Sequence, residues 1–361
     1  MALHTVRFDD LLDLRKGGDG LTLGSGPSRI EKIATAAEWQ TKAAALRDLF
    51  RQTLGQAPDL ACALDLEEVS EEEVDGYIKH TVSYALAPGE RISAYVLVPK
   101  GLQNRAPAVL CIHPTTPWGK EQAIGNDVSE KGQTCAYALH LVRRGYVTLA
   151  YDLLSAGQRC YAGLKDFDTA PFYEQYPDWS VRGRDLWDAG RAIDVLQSLD
   201  EVDPERIGSI GHSQGGGITI HAMALDERIK AGVSSCGEWP DRLSKNPFNG
   251  ARTGWWVGRP ALRPYCYAGK AFPIDLHEYL ALAAPRAILN IAALNDWMYG
   301  LEEEAFTRAA LDDMDANVAA VYALLGAEDK FAQVLHTAGH GFLQEQRDLA
   351  YSFLDRHLIA D

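Results

Sequence analysis

The segment Gly211-His212-Ser213-Gln214-Gly215, followed by Gly216 and Gly217, is the part of this chain best suited to covalent chemistry. It matches G-x-S-x-G, a pattern in which a strand turns sharply into a helix with a serine at the tip. Small flanking residues let neighbouring backbone pass close to that turn. The helix N-terminus behind the serine offers N–H groups and a positive dipole end to a developing oxyanion. A serine hydroxyl is a weak nucleophile at neutral pH, so it needs a general base, and the base needs an orienting acid.

In this arrangement the chain order is Ser, then Asp or Glu, then His. His340, in Thr337-Ala-Gly-His-Gly-Phe-Leu, follows the last strand-like run, and its flanking glycines give a loop able to aim an imidazole. It is the expected base. His336 ends the strand and reads as structural; His277 and His357 fall in expected helices as surface or packing residues. Asp296 follows the apolar run Ala287–Ala292 and is the expected acid, with helix capping as its plain structural role. Glu238, in Ser235-Cys-Gly-Glu-Trp, also follows a strand and is the alternative. One oxyanion donor is the N–H of Gln214. The second should come from His113-Pro114-Thr115-Thr116-Pro117-Trp118-Gly119, and because Pro114 has no N–H it is Thr115 or Thr116. His113, Trp118, Glu238, Trp239 and Trp297 are the candidate substrate contacts.

These residues need a scaffold that brings strand ends together. From about residue 107, short apolar runs alternate with helical stretches. The runs are Ala108–Ile112, Tyr146–Tyr151, Arg206–Ile210, Ala231–Ser234, Ala287–Ala292 and Ala332–Leu335. Helices are expected near 129–143, 182–199, 214–224, 275–283, 301–325 and 343–357. That alternation predicts an α/β fold with a mostly parallel sheet covered on both faces. A hairpin at Tyr77–Leu86 and Arg91–Pro99 feeds it, giving about eight strands. Residues 30–55 have helical periodicity and stop at Gly55. The acidic run Glu67–Asp75 reads as a solvated loop. The expected organisation is an N-terminal helical extension over 1–75 and a catalytic domain over 76–361. A lid-like insertion at 237–274 carries Trp239, Trp255, Trp256, Tyr265 and Tyr267, and a long aromatic loop of this kind is usually functional.

Composition narrows the partners. Lys plus Arg total 35 against 50 Asp plus Glu, a net charge of −15, which argues against nucleic acid and against anionic membranes. No apolar run spans a bilayer, and no signal peptide is evident, so a cytoplasmic location is expected. Six cysteines without a C-x-x-C pair indicate no metal or redox motif, and Cys111 and Cys236, in or at the end of apolar runs, read as free, buried thiols. No metal-ligand cluster or cofactor fingerprint is visible, so neither a metal nor an organic cofactor is expected. A small-molecule ester is the expected partner, and a homo-oligomer is compatible with the aromatic insertion.

With these motifs assembled, the chain resembles the α/β-hydrolases, and within them the dienelactone hydrolase and acetyl xylan esterase-like branch. Three stretches carry the likeness: Trp187–Leu196 with Glu201–Gly216, Asp275–Arg286 and His336–Phe342. It covers roughly residues 75–357. The resemblance implies Ser213 as nucleophile, Asp296 as acid and His340 as base. Dienelactone hydrolases proper use cysteine where this chain has serine, and many relatives carry His-Gly-x-Gly where it has His113-Pro114-Thr115-Thr116. The expected function is a serine hydrolase cleaving a small carboxylic ester through an acyl-enzyme on Ser213. The same triad acting on an amide or carbon–carbon bond is the alternative. A catalytically silent, ligand-binding scaffold is the alternative of another class.

Overall fold

The computed structural model describes residues 10–16, 29–243, 248, 252, 256–299 and 304–359. A short ribbon pairs β1 (Asp13–Lys16) with β2 (Arg29–Lys32). Nine further strands form one sheet: β3 (Glu67–Val74), β4 (Tyr77–Ala87), β5 (Glu90–Pro99), β6 (Ala106–Ile112), β7 (Val147–Tyr151), β8 (Val202–His212), β9 (Ile229–Ser235), β10 (Ala287–Ala293) and β11 (Phe331–His336). Their order is β11-β10-β9-β8-β6-β7-β5-β4-β3. Strands β6 to β11 run parallel, and β5, β4 and β3 are added antiparallel. The expected α/β architecture is therefore present, with one strand more than the hairpin count suggested.

Period-two alternation along the strands builds a core on each face. In β6, Ala108, Leu110 and Ile112 face one core, with Ile218 and Ile193. Val109 and Cys111 face the other, with Leu141, Leu354 and Phe353. Burial on both faces explains why these strands read as continuous apolar runs. The helices Val181–Ser198, Gln214–Leu225, Leu276–Leu282, Glu304–Leu324 and Gln344–Leu358 lie where helical periodicity places them. Among the described residues no helix is long and apolar enough to cross a membrane.

Two expectations are corrected. The acidic run is not a loop: it forms the edge strand β3, paired with β4, and all but the last of its residues are exposed. Its carboxylates meet Lys79, His80 and Lys100 beside it. A charged edge of this kind resists pairing with another chain. The strand also ties the N-terminal region to the sheet, so residue 75 lies in a hairpin turn. The first helix begins at Ala36, not near 30, because Arg29–Lys32 pairs with β1 and Thr35 caps the helix in a reciprocal box with Glu38.

The insertion is fastened where it is described. Trp239 and Trp256 are buried in the main core, while Tyr267 is exposed; Trp255 lies outside the described residues. Val257 N–H donates to Thr169 Oγ1, Tyr173 O–H donates to the Val257 carbonyl, and Arg242 Nε donates to Asp275 Oδ2.

Candidate active site

The helix Gln214–Leu225 starts directly after β8, and Ser213 sits between them with φ 54° and ψ −121°. A non-glycine residue rarely adopts this left-handed conformation, and its cost is borne by packing around the turn. Ser213 N–H donates to the Ser235 carbonyl at 2.8 Å, and its own carbonyl accepts from Gly217 N–H at 3.0 Å. The glycines are required by close approach. A side chain at Gly215 would overlap the Ile112 carbonyl oxygen at the end of β6, and one at Gly211 would overlap the backbone of Gly215.

Three strand ends then deliver the polar groups. The Ser213 hydroxyl lies 2.9 Å from His340 Nε2, and His340 Nδ1 lies 2.8 Å from Asp296 Oδ2. An ionised carboxylate can only accept, so Nδ1 carries the proton and Nε2 is free to take the serine's proton. Asp296 is almost fully buried, and its other oxygen accepts from Met298 N–H at 3.0 Å. It thus caps the short turn after β10 and orients His340 as well.

Asn295 is a contributor that the motif reading passed over. Its Nδ2 donates to the Thr337 carbonyl at 2.9 Å, and its Oδ1 accepts from Gly339 N–H at 2.9 Å. One amide therefore stitches the acid loop to the base loop. The signal in the sequence was its place beside Asp296. Cys236 lies behind the relay with a buried thiol that burial, then the nearby Asp296, pushes well up, so it stays protonated. The ligand atoms of Cys236, Asp296 and His340 lie within 4.8 Å of one another, yet Asp296 and His340 are already hydrogen-bonded to each other. Another trio, the exposed Glu68 and Glu71 with the half-buried His80, lies on β3 and β4, far along the sheet order from Ser213.

Glu238 does not orient His340. It lies 2.7 Å from His221 Nε2 and 3.1 Å from Arg259 Nη1. Burial opposes its charge, but His221 and Arg259 outweigh that and hold it down at about 2. It anchors the insertion to the helix behind the serine.

His113 is likewise a loop former and not a substrate contact. It is fully buried, Nδ1–H donates to the Pro114 carbonyl at 2.7 Å, and Nε2 accepts from Leu153 N–H at 2.9 Å. Burial keeps it neutral, as that pattern requires. Trp239 is buried. Trp297 is exposed with its ring 5.9 Å from that of His340, and Trp118 is also exposed. Thr115 is exposed, while Thr116 is buried, its Oγ1 accepting from Trp118 N–H. Gln214 opens its helix, so its N–H has no intrahelical acceptor.

Residues 30–237, more than half of the chain, match the model of the acetyl xylan esterase (AXE1) family. The chain belongs to that family. Its chemistry is carboxylic-ester hydrolysis. A relative in Bacillus subtilis (strain 168), "Putative hydrolase YtaP", is 29% identical over 320 residues, covering 86% of this chain and 98% of its own. Among solved structures, a glucuronoyl esterase from Solibacter usitatus superposes with TM-score 0.71 at 19% identity, over 91% of this chain and 95% of that one. A glucuronoyl esterase from Teredinibacter turnerae gives 0.67 at 20%, over 91% and 86%. These structures share the α/β-hydrolase fold with this member of the acetyl xylan esterase family.

Proposed function

We propose that this esterase works through an acyl-enzyme on Ser213 and that its substrates are small acyl esters of carbohydrates. The continuous path from Ser213 Oγ through His340 to Asp296, at 2.9 and 2.8 Å, carries the reading. As Ser213 Oγ attacks the ester carbonyl, its proton passes to His340 Nε2. Asp296 holds the tautomer and stabilises the imidazolium. The N–H of Gln214 and that of Thr115 or Thr116 receive the oxyanion. Collapse breaks the bond to the alcohol, which takes the proton from Nε2 as it leaves. Water then attacks the acyl-serine, losing its proton to Nε2 and returning Ser213. The carbohydrate ester is suggested by the family and by the exposed Trp297 beside His340.

The test is hydrolysis of p-nitrophenyl acetate by wild type and Ser213→Ala, with fluorophosphonate labelling and intact mass. Turnover that collapses in the variant, with one adduct on Ser213, is expected. Turnover retained in Ser213→Ala would overturn the acyl-enzyme. In an acyl-chain series, acetyl is expected to lead; preference for chains beyond about eight carbons would sink the small-acyl reading.

A further inference from the structure

Seven tryptophans lie among the described residues, and only Trp118 and Trp297 are exposed, at 46% and 68%. Both stand on loops at carboxyl ends of parallel strands, β6 and β10, where open α/β sheets bind ligands. Trp297 is accounted for by His340. Trp118 opens onto a separate cleft of about 360 Å³, rimmed by Pro117, Glu121, Gly157 and Gln158 and floored by Lys120 and Asp152.

The floor is a built structure. Lys120 and Asp152 are fully buried and paired at 2.6 Å. Asp152 also accepts from Lys120 N–H at 2.8 Å and from Gln158 N–H at 3.1 Å. A side chain at Gly119 or Gly157 would overlap its carboxylate. One buried carboxylate therefore clasps the loops after β6 and β7 around the cleft. Burying such a pair is costly unless further hydrogen bonds complete it, and these do. Lys120 Nζ also donates to Gln158 Oε1 at 2.9 Å, which leaves the Gln158 amide N–H groups as the donors for a ligand. Glu121 takes the Tyr95 hydroxyl on one oxygen and Asn126 Nδ2 on the other, each with acceptor capacity left.

The cleft is thus lined by an indole, an amide donor and a carboxylate acceptor. Its cation is already neutralised by Asp152, so an anion gains little there. A neutral pyranose fits: its C–H face covers the indole, and its hydroxyls both donate and accept. Strand order sets the reach. The cleft lies off the ends of β6 and β7, and β7 is two strand spacings, about 10 Å, from β8 and Ser213. Asp296 and His340 come from the opposite side, so a short glycan can run from the scissile ester towards β7.

We propose that this cleft is a glycan subsite that binds a neutral pyranose of the alcohol part of the substrate, with Trp118 as stacking platform and Gln158 and Glu121 as hydroxyl partners. It deepens the acyl-enzyme reading and rests on it for the position of the ester. The experiment compares wild type, Trp118→Ala and Gln158→Ala on acetylated xylotetraose and on p-nitrophenyl acetate. The ratio of kcat/KM for the oligosaccharide to that for the nitrophenyl ester is expected to fall at least tenfold in each variant, chiefly through KM. Calorimetry on Ser213→Ala should show binding of unacetylated xylotetraose that Ser213→Ala/Trp118→Ala loses. An unchanged ratio would overturn the subsite, as would xylotetraose binding that survives the Trp118 change. Equal losses on both substrates would assign Trp118 and Gln158 a structural role instead. Nitrophenyl turnover that survives Ser213→Ala would defeat the acyl-enzyme, while the calorimetry would still decide the cleft.

Discussion

Two carboxylates competed for one role, and a contrast between them tests the site at its smallest scale. Asp296 accepts from His340 Nδ1 at 2.8 Å; Glu238 faces His221 and Arg259 instead. Asp296→Asn keeps the shape but can present an amide donor to Nδ1, which favours the wrong imidazole tautomer. A fall in kcat of about 10⁴-fold is expected, with KM little changed. Glu238→Gln should cost far less in turnover and should act on stability. It leaves Arg259 with one acidic neighbour fewer, and breaking a buried pair costs about 3 kcal/mol. Steady-state kinetics and urea midpoints on the two variants check this. A larger kcat loss in Glu238→Gln than in Asp296→Asn would reverse the assignment. At this scale the sequence located the Ser213 and His340 that the fold brings within 2.9 Å of one another, because the elbow and the glycine-flanked loop are local patterns. It could not show that His113 closes its own hydrogen bonds or that Trp239 is buried, since both depend on strands far away in the chain.

Elements position these residues through backbone and amide contacts more than through motifs. The loops after β10 and β11 are joined by the two hydrogen bonds of Asn295, one to the Thr337 carbonyl and one from Gly339 N–H. Asn295→Ala removes both without altering Ser213, His340 or Asp296 themselves. The His340 loop then loses its register with Ser213, and a displacement of the order of 1 Å is enough to cost about 10²-fold. We expect kcat to fall between about ten- and a hundredfold, with the thermal midpoint shifted only slightly. Full activity in the variant would mean that β11 alone fixes the loop. The buried parallel strands were legible as apolar runs because both of their faces meet a core. β3 was not, for the opposite reason. Its sequence, EEVSEEEV, carries no apolar alternation, because an edge strand can pair through its backbone while its side chains stay in water. The start of the first helix was misplaced for a similar cause: pairing of β2 with β1 overrides helical periodicity around residue 30.

Taken as a whole, the molecule buries an unusual set of ionisable groups, and their sum sets how its stability depends on pH. Five histidines, His113, His140, His221, His336 and His357, are held below their ordinary value of 6.5, chiefly by burial, with His140 and His221 at about 4. Each binds a proton more readily in the unfolded chain than in the fold. Stability is therefore complete above about pH 6.5 and is lost as the pH falls towards the folded values. Three carboxylates act in the other direction. Asp185, Asp241 and Asp315 are raised by burial, Asp185 to about 7, so what they contribute is present below the ordinary 3.8 and lost as pH rises. Between about pH 6.5 and 4 the two sets oppose each other, and the histidines, joined by Glu238 held low beside His221 and Arg259, are expected to prevail. The urea midpoint of the wild type should fall steadily from pH 7 to 4.5, and a flat or rising profile would contradict this balance. Asp185→Asn separates the two sets. Asp185 lies 3.8 Å from Arg182, and its Oδ1 has no hydrogen-bond partner among the described residues. An amide in its place cannot ionise, so the variant should exceed the wild type in stability at pH 8 and the gap should close towards pH 4. A gap that does not change with pH would mean that Arg182 keeps Asp185 ionised in the fold.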